Sequence, residues 1–257
     1  MFNPSRRNRN IGTAKQGHGQ SNRLTIPAPA YTHQVFYEQL TEYRKDRKEI
    51  NGVPFEFVVE QTRKTSQHAC TVSDIVEIIR HIPPGDYQDL NLIVLRQPKR
   101  KEETLSPVWG RLVYAYEWEG DLRPAILLEA VDYQRTFKWS KKLGPEAQKE
   151  LDRLKEDGHP IVETKRAFEA EYRLENIRNT QLYRTLPHEF GHYKHYLKDV
   201  EEPATDEEPY EAWEKRYSDY FNLPPAQKEQ FAHRYADQLR KTLLDSQVIP
   251  FDRLEDP

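Results

Sequence analysis

Apolar and polar residues alternate along Val53-Pro-Phe-Glu-Phe-Val-Val-Glu60, the period-two pattern of a half-buried strand. A helix is expected next: Thr71 and Asp74 form a capping box, Ile75, Ile78, Ile79 and Ile82 fill one face, and Pro83-Pro84 stops it. Leu90–Leu95 is a second strand, so residues 53–96 read as a β-α-β unit. Two more strands are expected over Val108–Trp118 and Arg123–Val131, joined by a hairpin turn at Glu119-Gly-Asp-Leu122. Upstream, residues 33–48 predict a charged helix; downstream, Pro145 opens and Gly158 closes another. Over residues 160–180 the signals compete. Val162, Phe168, Ala170 and Tyr172 suit a strand, Lys165, Glu169 and Arg173 an i,i+4 charge row, and a helix from Ala167 is the expectation. Phe190, Tyr193 and Leu197 keep helical spacing, as do Phe231, Tyr235, Leu239 and Leu243 with Ala232 and Ala236. The class is α+β: a mixed sheet with helices in the N-terminal part, mostly helices after it.

Length suits one large domain or two small lobes: 257 residues, read as a tail over 1–28, an α/β lobe over 29–186 and a helical part over 187–257. The hydrophobic fraction of 36% against 32% charged predicts long exposed charged helices. Residues 1–24 carry Arg6, Arg7, Arg9, Lys15 and Arg23 and no acid, which reads as a disordered, solvated tail. With net charge −3, nucleic acid is not an expected partner except through that tail. A lone cysteine, Cys70, excludes an intramolecular disulfide. No apolar run has the length of a signal segment or a membrane span, so cytoplasmic residence without membrane contact is the expectation.

Chemistry concentrates at His188-Glu-Phe-Gly-His192. On a helix the two histidines project from one face, one turn apart, and two ring nitrogens can meet one metal ion at about 2.0–2.1 Å. Glu189, beside the first of them, can reach a metal-bound water rather than the metal. Gly191 costs about 1 kcal/mol against Ala inside a helix, which is useful if substrate or a neighbouring backbone must come close. Pro187 suits a first helical turn, so the helix is expected to start one or two residues before His188, or to kink there.

The stretch Thr185-Leu-Pro-His-Glu-Phe-Gly-His-Tyr193 resembles the active-site helix of zincin metallopeptidases. A metzincin would carry Gly where His195 stands and a later Met-turn, but the only methionine is Met1. A peptide deformylase would take a cysteine from a Gly-Cys-Leu-like segment, which the surroundings of Cys70 do not match. What remains is the gluzincin branch. Glu229-Gln-Phe-Ala-His-Arg-Tyr-Ala236 is similar to the helix on which compact gluzincins carry their glutamate ligand. Glu208, Glu211 and Glu214, on a helix with Tyr210, Trp213, Tyr217 and Tyr220, are rivals without the Ala-x-x-Tyr-Ala continuation.

The resemblance implies a zincin-like fold, with the sheet lying over the active-site helix and one edge strand (108–118 or 123–131) pairing with extended substrate. It implies one Zn²⁺ held by His188, His192 and Glu229. A peptide or protein would be hydrolysed by attack of a zinc-bound water, with Glu189 as base and then acid. His233 and Tyr235 are candidates for the oxyanion donor or for support of a ligand; Tyr217, Tyr220 and His195 lie near in sequence, and His195 is not expected to be a ligand. An acidic loop over 199–214 reads as solvated, with a rim for basic peptides as the alternative. Two other functions stay open: a regulatory or binding protein on an inactive zincin scaffold, and a zinc hydrolase acting on a small amide.

Overall fold

Charge along the chain disguises its first strand. The computed structural model describes residues 39–105, 108–205 and 207–256; the expected tail over 1–28 and the start of the 33–48 helix lie outside them. In place of the rest of that helix stands β1 (Tyr43–Ile50), paired antiparallel with β2 (Val53–Glu60). Asn51-Gly52 joins them, both at positive φ (52° and 81°), the two-residue loop whose twist suits a hairpin. The residues of β1 are charged because it is an edge strand, where lysine and arginine discourage further pairing.

After a short β3 (Ser66–Gln67) comes α1 (Val72–Ile79), which carries the expected capping box, Thr71 and Asp74 each accepting the other's backbone N–H. β4 (Leu92–Arg96) returns parallel to β2, completing the expected β-α-β unit. A one-turn α2 (Glu102–Leu105) leads to β5 (Gly110–Trp118) and β6 (Asp121–Glu129), whose hairpin is tighter than expected, with Glu119-Gly120 alone in the loop. β6 runs parallel to β4, so the sheet order is β1-β2-β4-β6-β5 and β5 is the second edge.

β7 (Val131–Asp132) pairs with β3. A three-stranded antiparallel sheet then forms from β8 (Thr136–Ser140), β9 (Ile161–Glu163) and β10 (Ala167–Glu171), with α3 (Pro145–Glu156) between β8 and β9. The helix expected from Ala167 is therefore a strand. Glu169 meets its lysine across the sheet, at Lys138 of β8, instead of one helical turn away.

From Leu174 the backbone is helical through α4 (Leu174–Thr180) and α5 (Leu186–Tyr196), with π-turns at 181–185 and 197–201. Pro187 neither starts nor stops this run. It sits just past the π-turn, where the wider i→i−5 bonding gives way to the α pattern, so the N–H it lacks and the bulk of its ring fall where the ladder is already shifting. α6 (Tyr210–Asn222) and α7 (Pro225–Asp245) follow, and residues 246–256 return to α1: Asp74 accepts the N–H of Leu254, and Arg178 stacks on Phe251.

One face of the sheet (Phe55, Phe57, Ile93, Leu95, Ile126, Leu128) shares a core with Ile75, Ile78 and Ile79 of α1, Leu186 and Phe190 of α5, and Leu239 and Leu243 of α7. Each such side chain contributes about 1.5–3 kcal/mol by leaving water. The opposite face buries Val58, Leu92, Val94, Ala125 and Leu127. Among the described residues no helix is long and apolar enough to cross a membrane.

Candidate metal centre

α5 carries His188 and His192 on one face, and α7 lies across it at Gly191. A Cβ on Gly191 would come within 3.0 Å of both Cα and the carbonyl oxygen of Ala232, so only glycine lets the two helices approach this closely. That approach brings Glu229, one turn before Ala232, over the histidines. Nε2 of His188 is 3.0 Å from Nε2 of His192. Glu229 reaches His188 through Oε2 at 3.2 Å and His192 through Oε1 at 3.4 Å. Three ligand atoms around a tetrahedral ion at about 2.0–2.1 Å stand roughly 3.3–3.4 Å apart.

Protons alone do not satisfy this triangle. Each Nε2 offers one N–H or one lone pair. Protonating both rings there sets two N–H groups head to head; protonating one leaves the other's lone pair against the carboxylate. A cation at the centre is compatible with all three contacts, and His188, His192 and Glu229 are the group able to hold one among the described residues. The two imidazoles also hold the Glu229 carboxyl far below the usual carboxylate range.

Glu189, next to His188 on α5, is buried and accepts the backbone N–H of Leu112 at 2.8 Å through Oε2. Burial raises its pKa, against the pull of His188, His192 and that N–H. Leu112 lies on β5, so the carboxylate ties the histidine helix to the sheet edge. A second tie comes from Gln181 in the π-turn, whose side-chain amide donates to the carbonyls of Trp109 (2.9 Å) and Glu129 (2.8 Å).

The cleft above the ligands is lined by Arg111, Leu112, Tyr114, Glu189 and Lys228. Neither His233 nor Tyr235 is among its lining residues. The His233 ring packs against that of His188 at 4.4 Å, tilted by 41°, and its Nε2 accepts from Arg153 at 3.2 Å, because a guanidinium can only donate. Burial, together with the charges of His188 and Arg153, pushes His233 down to about 4. Its Nε2 stands 3.9 Å from Glu229, beyond a hydrogen bond. Tyr235 packs its Cβ under Gly191 and donates its hydroxyl to Asp86 at 2.9 Å.

Tyr220 donates to the carbonyl of His192 at 3.1 Å and shares a 2.8 Å hydrogen bond with Tyr114. His195 pairs with Asp199 at 3.1 Å and stacks on Phe231, away from the ligands. Of the rival glutamates, Glu208 pairs with Arg216, while Glu211 and Glu214 are exposed. Leu112, Tyr114, Arg153 and Lys228 were not singled out from sequence. They reach the site from three elements, Leu112 and Tyr114 from β5, Arg153 from α3 and Lys228 from α7, and no local spacing marks them. Against known proteins, this chain matches no family model, no curated protein and no solved structure.

Proposed function

We propose that this chain is a zinc-dependent metallopeptidase with a gluzincin-like site and a zincin-like arrangement of sheet over active-site helix. What supports it most is the triangle of His188, His192 and Glu229 with the buried carboxylate of Glu189 beside it. Bound there, Zn²⁺ supplies a Lewis acid and lowers the pKa of a coordinated water.

Glu189 takes the proton from the attacking water and returns it to the leaving amine. Substrate lies along the open edge of β5. As its carbonyl takes over the N–H of Leu112, the Glu189 carboxylate is released toward the water. Lys228 lines the cleft and brings an ammonium donor toward the developing oxyanion, whereas the hydroxyl of Tyr114 is already engaged with Tyr220. An intact, poised base argues against an inactive scaffold, and an open strand edge suits a peptide better than a small amide. The single buried cysteine, Cys70, fits work in a reducing compartment such as the cytoplasm.

The test is cleavage of an unstructured protein such as casein by the purified chain, abolished by a chelator and restored by added zinc. Zinc-loaded protein that leaves every such substrate intact overturns the proposal.

A further inference from the structure

A second cavity opens beside the metal cleft, and Arg111 lines both. It lies where β4 and β6 end, between the sheet, β8 and α3. One wall is aromatic: the Phe137 ring centroid is 4.0 Å from that of Tyr172, 5.0 Å from that of Trp109 and 5.1 Å from that of Trp139. Nothing in the metal chemistry uses these rings.

Five carboxylates and three guanidiniums also line the cavity. Most are already matched. Glu102 and Glu129 both hold Arg96 and Arg111. Glu103 holds Arg63 and Arg135. Asp132 forms no ion pair among the described residues, and the nearest cation to Glu150 is Arg153, 3.9 Å away. The cavity therefore presents aromatic walls, Asp132 without an ion pair among the described residues, and Glu150 held only by Arg153 at 3.9 Å. Its volume of ≈ 200 Å³ is below the roughly 300–1,000 Å³ of sites that enclose a whole small ligand, and suits one long side chain.

We infer that this cavity is a specificity subsite for a lysine or arginine side chain of the peptide substrate, carried two or three residues from the scissile bond. A long basic side chain is amphipathic: its stem lies along rings while its head seeks a carboxylate, and rings attract the cation as well. An apolar side chain would desolvate Asp132 and Glu150 without replacing the lost water, and an acidic one would be repelled. Spacing follows from β5. Trp109 and Leu112 are three residues apart, about 10 Å at roughly 3.3 Å per residue, and an extended peptide on that edge covers the distance at the same rate. Only the position relative to the scissile bond rests on the peptidase function proposed above.

Two measurements test it. Zinc-loaded protein is given a randomised peptide mixture and the cleavage products are sequenced. Separately, the Glu189→Gln variant is titrated with two fluorescent peptides of one sequence, differing by Lys or Leu at the selected position or, if nothing is cleaved, at each position in turn. Lys and Arg should be enriched at least tenfold at one position two or three residues from the cut, and the Lys peptide should bind at least tenfold more tightly. Asp132→Asn with Glu150→Gln should bring both ratios toward one. Cleavage without basic enrichment, or with Leu or Phe enriched there, overturns the subsite and leaves the peptidase standing. If no peptide is cleaved, the peptidase is overturned; a Lys preference in binding, lost in the double variant, then still supports the basic subsite, and equal binding or none overturns it as well.

Discussion

Glu189 accepts the backbone N–H of Leu112 at 2.8 Å, which couples the helix of the two histidines to the open edge of the sheet. One carboxylate thus sits between the ligand-bearing element and the strand along which an extended chain would lie. In the proposed function this single contact would position both the base and the strand edge that receives substrate.

Protein purified without chelator should hold one zinc per chain, measured by elemental mass spectrometry. His188→Ala or His192→Ala leaves two protein ligands where a catalytic zinc takes three, and should lose the metal. Full zinc content in both variants would refute the site.

Glu189→Gln keeps both histidines and the carboxylate of Glu229 but cannot take a proton. Zinc content should be unchanged and peptidase turnover should fall about 100-fold or more, the scale of general base catalysis. Undiminished turnover would assign activation of the water to another group.

Glu229→Ala should weaken zinc affinity by more than about 100-fold, the upper end of what loss of a supporting partner costs. Glu208→Ala, Glu211→Ala and Glu214→Ala should not, since Glu208 is bound to Arg216 and neither of the other two joins His188 and His192 in a group able to hold a metal among the described residues. Competition with a chromophoric chelator reads the ranking directly.

Gly191→Ala sets up two opposed effects. Alanine favours a helix by about 1 kcal/mol, whereas forcing a methyl into a packed contact costs about 1–3 kcal/mol. The contacts at 3.0 Å are with backbone atoms of Ala232, which cannot rotate away, so α7 must retreat and the variant should be less stable. Because Glu229 rides on α7, zinc affinity should fall with it. A denaturation midpoint equal to or above that of the parent would contradict this.

Asp74 supplies the test of pH. Burial would raise its pKa, but the bidentate Arg178 guanidinium and the N–H groups of Leu254 and Thr71 outweigh it and hold the carboxyl below its ordinary value. A depressed folded-state pKa means that the stabilisation is fully present above the unfolded value, about 3.9, and is lost as pH falls through the lower folded value. Asp74→Ala strands Arg178 and should cost about 3–5 kcal/mol at neutral pH. The variant should also show a shallower loss of stability than the parent between pH 4 and 2, followed by urea titration at each pH.

What the sequence determined by itself is local. Two histidines four apart face one way on any helix, Thr71 and Asp74 cap α1 whatever lies around them, and the apolar stripe of α7 follows from its period. The charged β1 escaped because polar residues on an edge strand carry no period-two signal, although Asn51-Gly52 marked its turn. β10 escaped because Lys165, Glu169 and Arg173 satisfy a helical spacing, and only the presence of β8 alongside turns Glu169 toward Lys138. Strand order is likewise non-local: that β5 is an edge depends on β6 pairing with β4. The motif around Glu229 singled that acid out in the sequence, and what brings its carboxylate to the histidines was decided by the fold. Several glutamates follow His192 within a short span, and the close approach of α5 and α7 at Gly191 brings Glu229 within 3.4 Å of both rings. A ligand distant in sequence is chosen by packing, and packing is a property of the whole core.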